Sequence, residues 1–149
     1  MNGRSNAYSD ARARLNMLKI SFRKNDGIGI VDLTGQLTLG VGHATLWEKL
    51  APVLRRGPRN IIVNLRRVSE IDATGAGELK LLLGCVRNAG GNVVLLKPDD
   101  FAISAADVLM LEAEFETFTD ESDARNAFFP DRRVKRYDIL AFATEENSG

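Results

Sequence analysis

The residues best placed to do chemistry lie together in the run Val68-Ser-Glu-Ile-Asp-Ala-Thr-Gly-Ala-Gly-Glu78. That run follows Ile61-Ile-Val-Asn-Leu65, which reads as a buried strand, and precedes Leu79 to Ala89, spaced as an amphipathic helix. Asp72, Thr74, Gly75 and Gly77 therefore sit where a strand hands over to a helix. The first N–H groups of a helix have no partner within it and stand at the positive end of its dipole. A small hydroxyl residue there can meet an anion, carry a phosphoryl group, or simply cap the helix. A cap alone contributes about 1 kcal/mol and accounts for Asp72 and Thr74 without any further role.

Other chemistries find less support. Gly75 and Gly77 do not extend to G-x-G-x-x-G, because position 80 is Lys, and no Walker pattern occurs. Tight chain packing explains these glycines better than a nucleotide. His43 is the only histidine, and a lone His after a glycine-rich loop reads as surface or helix start. Cys85, the only cysteine, falls in an apolar helix stripe and reads as a small core residue. A metal site needs several ligands, so none is expected, and no nucleophile elbow is visible. No cofactor and no enzymatic activity are expected.

The elements that must position the junction follow from periodicity. Leu18-Lys-Ile-Ser-Phe22 alternates, Asn25-Asp-Gly27 is a turn signal, and Ile28 to Leu33 is a second strand, together an antiparallel hairpin. Thr34 to Gly42 is glycine-rich and reads as a loop. Leu46, Trp47, Leu50, Val53 and Leu54 follow at helical spacing, with Trp47 on the face expected to pack on the sheet. Pro52 inside that pattern predicts a kink or restart. After the junction, Ala76, Leu79, Leu82, Leu83 and Val86 share one helix side, and Gly90-Gly91 ends it. Asn92 to Leu96 is another buried strand, Ser104 to Leu111 a short helix, and Phe115 to Phe118 a short strand. Asp120 to Phe128 reads as a last helix capped by Asp120 or Ser122. The order β-β-α-β-α-β-α-β-α predicts an α/β fold with a mostly parallel sheet of about five strands, an antiparallel edge strand and four helices.

Composition fits one such domain. The 149 residues are 44% apolar and 27% charged, with Lys+Arg 20 and Asp+Glu 20. Zero net charge gives no general attraction to nucleic acid or to an anionic membrane. One cysteine permits no internal disulfide and fits a reducing, cytoplasmic setting. No apolar run nears the ~20 residues that span a bilayer, and the N-terminus lacks an apolar signal core. We divide the chain into a tail over 1–16, a domain over 17–129 and an extension over 130–149. In the extension, Arg132-Arg-Val-Lys-Arg136 reads as solvated charge, and Ile139-Leu-Ala-Phe142 as an apolar segment able to dock on a groove or a neighbour.

The series Leu33-Thr-Gly-Gln-Leu37, Ile61-Ile-Val-Asn-Leu65, Ile71-Asp-Ala-Thr-Gly-Ala-Gly77 and Gly90-Gly-Asn-Val-Val-Leu-Leu96 resembles the STAS domain. The branch it looks most like is the bacterial anti-sigma factor antagonists, over about Leu18 to Phe128. The resemblance implies a protein that binds an anti-sigma factor, often a GHKL-type serine kinase, and so frees a sigma factor for transcription. It also implies control by phosphorylation of the residue directly after the Asp of the junction. Here that residue is Ala73, which cannot accept phosphate, and Thr74 is the only candidate. Two acids that help arrange the site in phosphorylated members stand here as Thr38 and Asn64. Phosphorylation is therefore expected to be weak or absent.

The implied docking surface joins the loop Gln36 to Gly42 with the helix start. We expect Gln36, Thr38, Leu39 and Gly40 to meet a partner, together with Asp72, Ala73, Thr74, Gly75, Ala76, Gly77 and Glu78. STAS domains also serve as transporter subunits, including lipid-trafficking ABC systems with their ATPase, and as scaffolds in stress signalling. A nucleotide- or lipid-binding module is a third possibility for the same turn.

Overall fold

Strands rich in Ile, Val and Leu pair into a single mixed sheet. The computed structural model describes residues 18–38, 43–98 and 105–130, with side chains from 46 onward in the second block and from 110 onward in the third. The elements are β1 (Lys19–Asn25), β2 (Ile28–Leu37), α1 (His43–Arg56), β3 (Asn60–Ile71), α2 (Ala73–Asn88), β4 (Asn92–Leu96), α3 (Ala105–Glu114), β5 (Thr117–Phe118) and α4 (Glu121–Asn126). Spatial order equals chain order, β1-β2-β3-β4-β5. β1 pairs antiparallel with β2, and the remaining pairs are parallel. The expected α/β class, strand number, antiparallel edge and four helices are all present. The tail over 1–16, Leu39, Gly40 and the extension from 131 lie outside the described residues.

Both faces of the sheet are covered around Ile61–Val63 and Val93–Leu96, which is why these stretches lack a polar side. On the first face Val31, Leu33, Ile61, Val63 and Leu65 pack against Leu46 and Leu50 of α1, the Leu79–Leu82–Leu83–Val86 stripe of α2, and Leu111 of α3. On the second face Ile28, Ile30, Ile62, Val94 and Leu96 meet Ala124 of α4, flanked by Phe118, Phe128 and Phe129. Trp47 packs beside the first cluster, as its spacing predicts.

Helix α2 closes as the Gly90-Gly91 signal requires. Gly90 is left-handed at φ 89°, its N–H donates to the Arg87 carbonyl, and the Gly91 N–H donates to the Val86 carbonyl. This is the paired bond pattern that satisfies the last carbonyls of a helix. A Cβ on Gly91 would lie 1.5 Å from the Arg59 carbonyl oxygen, so only glycine fits where the chain returns beside β3.

Four expectations need correction. Thr34 to Leu37 is not loop but the second half of β2. β3 does not stop at Leu65; it runs to Ile71, and α2 begins at Ala73. Pro52 does not restart the helix, since α1 runs unbroken through Arg56. Proline there forgoes the bond to the Glu48 carbonyl, but both residues are exposed and water can serve that carbonyl. Cys85 is exposed, not core. It lies on the solvent side of α2 with Gly84 and Leu81, the latter 59% exposed.

The extra length of β3 comes with two irregularities. Asp32 pairs with Asn64 but Thr34 with Arg67, and Gly35 pairs with Val68 but Gln36 with Glu70. Each shift inserts one residue into β3. The burial pattern shows the result: Leu65, Val68 and Ile71 point inward, while Arg66-Arg67 and Ser69-Glu70 are consecutive exposed pairs. Asn64 supports the first bulge, its Oδ1 accepting from the Arg66 backbone N–H at 3.0 Å.

Candidate functional site

The junction narrows to a single residue. Asp72 is extended, at φ −102° and ψ −178°, between the end of β3 and the first turn of α2. Its Oδ1 accepts from the Gly75 N–H at 2.8 Å, and its carbonyl accepts from the Ala76 N–H at 2.9 Å. Asp72 is thus the N-cap, which satisfies one of the open donors of the helix. The capping role falls to Asp72 and leaves Thr74 without it.

The end of β2 lies directly against this turn. The Asp72 N–H donates to the Leu37 carbonyl at 3.4 Å. A Cβ on Gly75 would stand 2.0 Å from that same carbonyl oxygen. Glycine is therefore required at 75 for the helix to approach the strand end, which is a packing role. Gly77 has open space around its Cβ position and carries no such constraint. The carboxyl end of β2 at Leu37 and the turn after β3 are thus brought together, while residues 39–42 of the expected loop lie outside the described residues.

The side chains divide by burial. Ala73 is exposed, and Gln36, Thr38, Asp72, Thr74 and Gly77 are half-buried. Gly75, Ala76 and Glu78 are buried, so they shape the surface from beneath and offer it no side chain. Glu78, 8% exposed, accepts from the Trp47 indole N–H, a pairing that ties α2 to α1. Leu39 and Gly40 lie outside the described residues, as does the side chain of His43, whose backbone opens α1.

Asn64 does not belong to this turn. The long β3 carries it eight residues upstream, roughly 25 Å along the strand. It faces the second side of the sheet, where its Nδ2 donates to Asp32 Oδ1 at 2.7 Å and its Oδ1 accepts from Arg66 Nε at 3.2 Å. Arg23 closes the group. Its Nε donates to Asp32 Oδ2 at 2.7 Å, and its guanidinium also pairs with Glu121 of α4. Partial burial works to raise the Asp32 carboxyl, but the bonds from Arg23 and Asn64 outweigh it and hold the group below the usual carboxylate range. The Arg23 hydrogen bond likewise holds Glu121 below its ordinary value. Arg23 in turn is held more firmly protonated, chiefly by Glu121 and then by Asp32.

The sequence reading missed this network and the Trp47–Glu78 pair. A signal existed for the first: Asp32 and Asn64 each interrupt an otherwise apolar strand. Two such interruptions in neighbouring strands suggest facing polar partners. Among the described residues no group of three or more His, Cys, Asp or Glu could hold a metal ion, and no helix is long and apolar enough to cross a membrane.

Comparison with known proteins bears on the fold. The family model described as the STAS domain matches residues 19–124. None of the curated proteins compared matches the chain. Among solved structures, an anti-sigma factor antagonist from Mycobacterium paratuberculosis superposes with TM-score 0.62 at 16% identity, covering 76% of this chain and 95% of its own. A putative anti-sigma factor antagonist from Thermotoga maritima gives 0.62 at 20% identity, covering 73% and 93%. The anti-sigma factor antagonist SpoIIAA in its unphosphorylated form gives 0.58 at 18%, covering 74% and 96%. At these identities the likeness is one of fold.

Proposed function

Since the chain belongs to the STAS domain family, we propose that it is a non-enzymatic signalling protein of the anti-sigma factor antagonist kind. It binds an anti-sigma factor or a GHKL-type serine kinase and so frees a sigma factor for transcription. The observation that carries this reading is the joining of the β2 end to the first turn of α2 through Leu37, Asp72 and Gly75. That contact supports a docking surface made of Gln36, Thr38, Asp72, Ala73, Thr74 and Gly77. Open sheets of this kind present ligands and partners at that end.

The regulatory chemistry follows from one methyl group. Ala73 is the exposed first residue of the helix, at the position where a hydroxyl would take phosphate. A phosphate brings about −1.5 to −2 charges and disrupts a packed protein interface through repulsion and desolvation. Without an acceptor at 73, this chain binds its partner without that release, and Thr74 remains the one candidate for modification.

Recovery of partners from the native cell, with wild-type and Ala73→Glu chains as paired baits, tests the reading. An anti-sigma factor or GHKL kinase held by the wild type and lost from the folded variant is expected. An ABC ATPase in its place would assign the chain to a transporter, and stress-signalling proteins would make it a scaffold. Equal recovery by both baits would move the docking surface away from Ala73.

A further inference from the structure

The first bulge in β3 has a consequence on the second face of the sheet. In a regular strand Arg66 and Arg67 would point to opposite sides. The inserted residue leaves both exposed, and both line one open cavity of about 590 Å³ above the covered part of that face. The remaining walls come from Ser21 and Arg23 of β1, Asp32, Leu33 and Thr34 of β2, and Asn64 of β3. Bulges commonly re-aim side chains at functional sites.

We propose that this cavity is a binding site for a small phosphate-bearing anion. Three guanidinium groups from two strands face one carboxylate, Asp32, and that carboxylate already accepts from Arg23 and Asn64. Glu121 further engages Arg23 from below, so Arg23 is the least available of the three. Arg66 is partly held by Asn64 and stands 3.9 Å from Glu121, with its side chain 43% exposed. Among the described residues no hydrogen bond or ion pair holds the Arg67 guanidinium. Among the described residues the lining thus holds a net excess of cationic donors.

The donor arrangement selects among anions. Guanidinium pairs with planar carboxylate and with phosphate alike. The hydroxyls of Ser21 and Thr34 add donors from β1 and β2, so the cavity surrounds its occupant from three strands. That suits a tetrahedral group with three acceptor oxygens better than a flat carboxylate. The volume lies in the range of small-molecule sites. Among the described residues no aromatic ring lines it to stack on a base. The expected occupant is a short inorganic polyphosphate or a phosphorylated sugar. The site lies on β1, β2 and β3, upstream of the Asp72 turn.

Calorimetric titration of the full-length protein with pyrophosphate, ribose 5-phosphate and citrate tests the site, with amide chemical shifts to map it. Saturable binding of a phosphate probe is expected, with shifts centred on Ser21, Thr34, Arg66 and Arg67, and weaker binding of citrate. The response of pyrophosphate against that of the sugar phosphate tells the inorganic from the organic source. Arg67→Gln should weaken binding about tenfold, the loss of one charge-assisted contact. Arg59→Gln, on another surface, should leave it unchanged, and the melting temperatures of both variants show whether they fold. Three results would overturn the site: no saturable binding, equal weakening by Arg59→Gln, or shifts confined to Asp72–Gly77.

Discussion

The Trp47 indole N–H donates to the Glu78 carboxylate, joining α1 to α2 across the first face of the sheet. Glu78 is nearly buried, so this donor offsets part of the cost of taking a charge out of water. Trp47→Phe keeps most of the ring but removes the N–H. We expect a loss of about 1 kcal/mol in urea unfolding, the net contribution of one hydrogen bond. Glu78→Gln keeps an acceptor oxygen and should lose less. In a double-mutant cycle with Trp47→Phe and Glu78→Leu, the two losses should be clearly non-additive. Additive losses would show that the contact contributes nothing specific.

Gly75 and Gly77 sit two residues apart on the same helix and should respond oppositely to alanine. A Cβ at 75 meets the backbone carbonyl of Leu37 at 2.0 Å, and backbone cannot step aside as a flexible side chain can. Gly75→Ala should therefore destabilise by about 2–3 kcal/mol, in the manner of an overpacked core. At 77 the space is open, so Gly77→Ala gains helix propensity and should stabilise by up to about 1 kcal/mol. Chemical denaturation of the two variants side by side checks the contrast. A tolerated Gly75→Ala would mean that α2 does not approach the end of β2 this closely.

The cap at the same junction separates two hydroxyl-or-acid positions that the sequence leaves equivalent. Asp72→Ala removes the acceptor for the Gly75 N–H and should cost about 1 kcal/mol. Thr74→Ala removes no cap, because Asp72 holds that role, and should stay within about 0.5 kcal/mol, as ordinary surface changes do. A larger loss for Thr74 than for Asp72 in thermal unfolding would reverse the assignment.

How far these elements could be read in advance depended on period. The alternation of Leu18 to Phe22, the helical stripe ending at Val86 and the Gly90-Gly91 stop each repeat a simple local rule, and each was legible. The carboxyl halves of β2 and β3 were not. Leu65, Val68 and Ile71 recur every third residue, which matches neither a strand nor a helix, because each bulge inserts a residue into the two-residue repeat. Gly35, at φ 114°, looked like a loop glycine but lies within β2 between the two register shifts. Cys85 misled through its type: an apolar residue beside a buried stripe, yet on the outer side of the helix. The turn at Asp72 was found because capping chemistry is local. The Arg23–Asp32–Asn64–Glu121 network joins four elements, and only the sheet order brings them together.

That network makes a pH-dependent prediction that turns on one atom. Asp32 and Glu121 titrate below their ordinary values, so their contribution is present above about pH 4 and is lost as pH falls through the lowered values. The wild type should therefore weaken progressively in acid. Asn64 serves Asp32 as a donor through Nδ2, a part that aspartate cannot play unless protonated. Asn64→Asp places two carboxylates in contact, which raises the proton affinity of the pair. A raised value reverses the sign: the variant should be destabilised most near pH 7, by about 1–2 kcal/mol, the cost of a lost buried hydrogen-bond partner. Its deficit against wild type should then shrink as acid supplies the shared proton. Urea unfolding of both chains from pH 7 to pH 4 measures this difference. A deficit that stays constant or grows on acidification would mean that Asn64 Nδ2 is not the donor to Asp32.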